Sequence, residues 1–191
     1  MKPSRKYRNS ILFVALAQIT ALTTTAAQAT EGPQRTLEIA VPMMQMPLPI
    51  LVKLATGWVA ADLGLPMPET LPRVAFADEA TMRIIRASVE GIPAVATTPE
   101  AEVLGMYDTS SRTIFLPLGW TGQSPAEMSI LVHEIVHHLQ TLSEERFGCP
   151  AEREKRAYEV QGRWLEAHGE SLEVSLGISP MFLLVATNCM F

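Results

Sequence analysis

The chain has 191 residues, 48% of them hydrophobic and 18% charged, with 15 Lys+Arg against 20 Asp+Glu. That length and composition suit a single globular domain with a real core, and exclude a low-complexity or repeat protein. The acidic balance argues against nucleic acid and anionic lipid as partners, since both would be repelled.

Lys2, Arg5, Lys6 and Arg8 precede an apolar stretch from Ile11 to Leu22, and small residues lead on to Ala27-Gln28-Ala29. This is the charged, apolar, small order of a secretory signal. Residues 1–29 are therefore expected to be cleaved after Ala29, leaving residues 30–191 as one domain. The apolar stretch is 12 residues long and includes Gln18, too short to span a bilayer comfortably, and Met181–Ala186 is shorter still. No stable membrane insertion is expected after cleavage. Residues 30–191 then carry 11 Lys+Arg against 20 Asp+Glu, a net charge of −9. In an oxidising compartment Cys149 and Cys189 read most simply as one disulfide, with two free thiols as the alternative.

Thr30–Arg35 resembles a linker. In VPMMQMPLP, Val41–Pro49, the residues Met43, Met44 and Met46 are either gap-filling side chains or a soft-metal site for copper. The spacing predicts a helix over Ile50–Leu65, with Leu51, Leu54, Ala55, Trp58 and Leu63 as its apolar side and Gly64 and Pro66 as its stop. Leu71–Ala77 is a predicted strand, after which Asp78 caps a helix to about Val89. Residues 93–108 are loop-like, with a candidate strand at Ala101–Tyr107. The polar turn Asp108–Ser111 and the β-rich run Arg112–Leu116 complete a predicted hairpin. Pro117 is expected to stop that strand and leave an unpaired edge.

Ser124-Pro125-Ala126-Glu127 starts a helix: Ser caps, Pro takes the first position, and Glu reaches back as a capping box. That helix is predicted to run to about Leu142. After the break at Phe147-Gly148-Cys149-Pro150, a second long helix covers Ala151–Ala167. On the first helix His133 and His137 stand four apart and share a face, while Met128, Leu131, Ile135, Leu139 and Leu142 form an apolar stripe. Burying imidazole and carboxylate among aliphatic residues is costly unless compensated. A Zn2+ ion compensates, because two neutral imidazoles one turn apart reach a single tetrahedral metal. His138 lies well around the helix from both and is expected to hydrogen-bond to nearby chain.

The string His133-Glu134-Ile135-Val136-His137 is HExxH, and here the chain resembles the zincin metallopeptidases. The resemblance implies Glu134 as the base that takes a proton from a metal-activated water. Residues 139–144 lack the glycine and third histidine of the metzincins, so the third ligand is sought on the following helix, as in the gluzincins. That helix offers Glu152, Glu154 and Glu159. Arg156 and Arg163 stand four residues beyond Glu152 and Glu159, as in exposed ion pairs. Glu154 has Tyr158 there instead, with Ala151 and Ala157 on either side to allow close helix approach. Glu154-Lys155-Arg156-Ala157 resembles the ExxA(D) third-ligand segment of minimal gluzincins, with Tyr158 where many have Asp. Glu154 is the preferred ligand, and Glu152 the alternative. His168 lies 14 residues beyond Glu154, about 21 Å along a helix, and belongs with the last carbonyls.

Tyr158 is a candidate oxyanion donor or a partner of Glu154, and Tyr107 reads as a core tyrosine. If Arg112–Leu116 is an exposed edge, it offers strand addition to an extended peptide. Together these readings anticipate an α+β fold, a small mostly antiparallel sheet packed on the HExxH helix and a glutamate-bearing helix. The expected activity is an exported zinc-dependent peptidase acting on peptide or protein. A zinc-binding but non-catalytic exported protein of the same fold is the alternative.

Overall fold

The computed structural model describes residues 46–90 and 103–189. The expected signal and linker, Met43, Met44 and the start of the expected 101–107 strand lie outside them. Among the described residues, six helices and three strands follow one another as α1 (Leu48–Asp62), β1 (Arg73–Ala77), α2 (Glu79–Glu90), β2 (Met106–Asp108), β3 (Thr113–Pro117), α3 (Pro125–Leu142), α4 (Pro150–Ala167), α5 (Leu172–Leu176) and α6 (Pro180–Ala186). The fold is α+β.

The local starts follow their sequence signals. Asp78 Oδ1 accepts from the Thr81 amide at 2.8 Å and so caps α2. Ser124 Oγ accepts from the Glu127 amide at 3.1 Å at the head of α3, with Pro125 in the first turn. The Glu127 carboxylate reaches back beyond the cap, accepting from the amides of Thr121 and Gln123. Asp108 gathers Ser110 and Ser111 into the turn between β2 and β3.

The sheet is mixed, where a mostly antiparallel one was expected. Its order is β1-β3-β2, with β1 parallel to β3 over five residue pairs and β2 antiparallel to β3 over three. The reason lies in the connections. The tight turn after β2 returns the chain antiparallel, whereas α2 lies on the path from β1 to β3 and carries it over the sheet into parallel register. β3 is thus the central strand and has no free edge, contrary to expectation. Pro117 does not break the pairing either, because the Leu118 amide donates to the Ala77 carbonyl at 2.9 Å.

β3 is covered on both faces. Ile114 and Leu116 point into the main core with Tyr107 and the buried side chains of α1, α3 and α4. Phe115 points the other way and packs with Met82, Ile85, Ala77 and Val103 under α2. α3 lies against the sheet, α1 and α4, so every residue from Met128 to Gln140 is buried. The expected separation into apolar stripe and histidine side therefore becomes a helix buried all round, with α4 closing the histidine side. α1 turns Val52, Ala55, Val59 and Ala60 inward and leaves Leu54 exposed, a rotation from the apolar side read in the sequence.

Two further contacts fix α4. Arg163 forms a forked pair with Asp62 at the end of α1, and Trp164 meets Trp58 edge to face with ring centroids 5.0 Å apart. Cys149 and Cys189 form a disulfide with Cα atoms 6.0 Å apart, tying the segment after α6 to the residue that precedes α4. Among the described residues no helix is long and apolar enough to cross a membrane.

Candidate metal centre

α3 presents His133 and His137 one turn apart, and α4 crosses in front of them with Glu154. The two Nε2 atoms lie 3.2 Å from each other. One Glu154 oxygen is 3.2 Å from His133 Nε2 and the other 3.3 Å from His137 Nε2. These three side chains form a group that could hold a metal ion. The close approach of the helices depends on Ala157, which is fully buried one turn beyond Glu154.

Hydrogen bonds on the far side of the His133 ring decide which of its nitrogens is free. His133 Nδ1 lies 3.0 Å from Gln161 Oε1, and Gln161 Nε2 donates to Ser129 Oγ. Because that amide nitrogen is used, its oxygen faces the ring, so Nδ1–H donates and Nε2 keeps its lone pair. His137 also has a glutamine behind it. Gln140 Nε2 donates to the Arg153 carbonyl, which leaves Gln140 Oε1 facing His137 Nδ1 at 2.9 Å. Arg153 Nε–H also points at that nitrogen from 3.2 Å, so the proton on His137 Nδ1 is contested and only the His133 tautomer is fixed by its partners. With its proton on Nδ1, His133 turns an Nε2 lone pair towards His137 and Glu154, a grouping that a cation satisfies.

The electrostatics agree. Burial raises the pKa of Glu134 above the carboxylate range, against the pull of the neighbouring histidines. For Glu154 burial acts in the same sense, yet the hydrogen bonds from His133 and His137 outweigh it and hold the carboxyl far below its ordinary value. Burial disfavours a charged His133, but Glu154 and Glu134 outweigh it and leave the ring more basic than usual. Burial, aided by the charges of Glu154 and Glu134, pushes the Tyr158 phenol up to about 12.

Glu134 is 6% exposed and accepts no hydrogen bond among the described residues. It faces Gly105, just before β2. Tyr158 packs its ring on His133 with centroids 4.7 Å apart, and Phe182 of α6 packs on Tyr158 at 6.1 Å.

The remaining sequence candidates fall away from the centre. His138 Nε2 is bonded to the carbonyl of the exposed Thr70 and its Nδ1 to the buried Tyr107 hydroxyl, away from the metal group. His168 Nδ1 bonds the Trp164 carbonyl at the end of α4, as expected. Glu152 is not paired with Arg156 as expected. Its carboxylate accepts from the Gly148 amide and Arg156 pairs with Glu145, because the chain entering α4 brings those groups closer. Arg163 likewise pairs with Asp62 instead of Glu159. Met46 is exposed, and its expected copper partners lie outside the described residues. Gln140, Gln161 and Gly105 carry no signal in the sequence; only the packing of α4 and β2 against α3 reveals their part.

A family model described as "Domain of unknown function (DUF6647)" matches residues 45–190, and the chain belongs to that family. No curated protein and no solved structure matches it.

Proposed function

We propose that this member of DUF6647 is a zinc-dependent peptidase, and that it works in an oxidising compartment outside the cytoplasm. The observation that carries the reading is the pairing of two unlike groups. One is a set of two imidazoles and a carboxylate that could hold a metal ion, and the other is a buried carboxylate, Glu134, that accepts no hydrogen bond among the described residues. The donor set fits zinc. A tetrahedral ion with bonds of about 2.0–2.1 Å spaces its ligand atoms about 3.3–3.4 Å apart; the two Nε2 atoms are 3.2 Å apart, and each has one of the two Glu154 oxygens at 3.2 or 3.3 Å. A purely structural site has no use for a second carboxylate at its margin.

Zinc at this position supplies Lewis acidity towards a carbonyl and lowers the pKa of water. The chain does the rest. His133 holds a neutral Nε2 in place through Gln161, Gln140 stands behind His137, and Glu154 neutralises part of the charge. Glu134 takes the proton of the attacking water and passes it to the leaving amine nitrogen, a role suited to a carboxyl group whose proton affinity burial raises. Tyr158 stays protonated across the physiological range and is the phenol nearest the centre, so it is the candidate donor to the developing oxyanion. Strand addition moves from β3 to β2, which pairs on one side only among the described strands and begins beside Glu134. The Cys149–Cys189 disulfide supports the export reading.

Purified protein loaded with zinc should hydrolyse an unstructured peptide or casein, and Glu134→Gln should lose at least a hundredfold in kcat while keeping its zinc. Unchanged hydrolysis in that variant would defeat the mechanism. Zinc binding without hydrolysis in either protein would leave a metal-binding protein in place of a peptidase.

A further inference from the structure

Gly105 stands just before β2, outside the histidine motif and outside the metal group. Its backbone does not need glycine, since its φ is not among the positive values of the chain. What needs glycine is the space. A Cβ built at position 105 would lie 2.7 Å from Ile130 Cγ2, 2.9 Å from Glu134 Oε1 and 3.2 Å from Glu134 Cγ. Contacts under 3.0 Å force something to move, and here the neighbours are two side chains on one face of α3, four residues apart. Both are held in the core: Ile130 is 8% exposed and Glu134 6%.

We propose that Gly105 is a positioning residue for Glu134. The missing side chain lets the chain entering β2 lie flat on α3 and hold the carboxylate against the metal group. It also keeps open the space beside Oε1 through which water and substrate reach that oxygen. The claim rests on the peptidase reading for its activity arm but not for its binding arm. Any residue larger than glycine displaces Glu134 or fills the approach to it. The three atoms nearest that Cβ position belong to Ile130 and Glu134 and none to His133, His137 or Glu154, so metal binding should be retained.

The test compares Ile130→Ala, Gly105→Ala and the double variant, all loaded with zinc. Ile130→Ala removes the Cγ2 that the new methyl would strike. The double variant therefore relieves core overpacking and leaves only the contact with Glu134. The double variant is expected to bind zinc within threefold of Ile130→Ala, and to show kcat at least tenfold lower with KM within threefold. Equal kcat in the two would overturn the proposal and assign Gly105 to core packing alone. The second arm uses acetohydroxamate, which chelates zinc and gives up a proton to a neighbouring base. Its affinity should fall about tenfold in the double variant relative to Ile130→Ala, as in Glu134→Gln. If the parent hydrolyses nothing yet this fall is seen, the peptidase reading fails and the positioning role stands. Equal acetohydroxamate affinity in both variants would defeat the positioning role whatever the parent hydrolyses.

Discussion

Replacing Gln161 by leucine keeps the side-chain volume close to constant and removes two hydrogen bonds at the back of the metal group. Gln161 is 3% exposed, accepts from His133 Nδ1 at 3.0 Å and donates to Ser129 Oγ at 3.2 Å. Ser129 keeps its bond to the Ala126 carbonyl, so the one orphan is the His133 N–H. A buried orphan donor costs about 1–3 kcal/mol. In the metal-free variant the ring escapes that cost by moving its proton to Nε2, where the Glu154 oxygen 3.2 Å away accepts it. That tautomer occupies the lone pair the metal requires and must be reversed on binding. Loss of such a partner typically weakens metal affinity by about 10–100-fold, or about 1.4–2.7 kcal/mol. Competition with a chromophoric chelator gives the affinity, and urea unfolding of the metal-free protein confirms that the variant folds. A folded variant with zinc affinity within threefold of the parent would refute the tautomer argument.

Three further outcomes follow from the same geometry. Glu154→Ala should abolish tight zinc binding, whereas Glu152→Ala should leave it within threefold, because the Glu152 carboxylate is committed to the Gly148 amide; zinc content by mass spectrometry decides between them. Cys149→Ser with Cys189→Ser opens a cross-link of sequence separation 40, which by loop entropy stabilises by about 4 kcal/mol. A loss below about 1 kcal/mol in denaturant unfolding would place that link outside the folding unit. The pH dependence has a definite sign. His133 is more basic in the folded metal-free protein than unfolded, so its pairing with Glu154 is fully present below about pH 6.5 and lost as pH rises through its raised pKa. Glu154, depressed when folded, contributes above about pH 4.3 and loses that contribution as pH falls through its lowered value. Zinc competes with the His133 proton, so its affinity should rise with pH to a plateau. Isothermal titration showing equal affinity at pH 6 and pH 8 would contradict the raised basicity of His133.

The motifs that could be read along the chain are those whose partners lie within a turn or two. Ser124 and Glu127 are three apart and cap α3 as their spacing demands. His133 and His137 are four apart, and helical geometry alone places their rings together. Glu154 is preferred over Glu152 and Glu159 because small residues and a missing cation mark its side of α4. The same local reasoning failed where the competing partner was distant in sequence. Arg163 has Glu159 within a turn but takes Asp62, 101 residues away. An exposed pair one turn apart contributes only a few tenths of a kcal/mol, so a forked partner supplied by the fold displaces it readily. The direction of the sheet failed for a related reason. Alternating apolar residues predict a strand, but pairing direction depends on the route between strands.

By itself, then, the sequence determined the helix that carries two imidazoles and its cap, since 3.6-residue periodicity converts spacing directly into proximity. Only the tertiary structure decided which acid of α4 meets the imidazoles, which nitrogen His133 offers, that β3 is enclosed while β2 is an edge among the described strands, and that a glycine must stand opposite Glu134. Those features depend on side chains from separate elements meeting in a close-packed interior, where a few tenths of an ångström separate contact from collision.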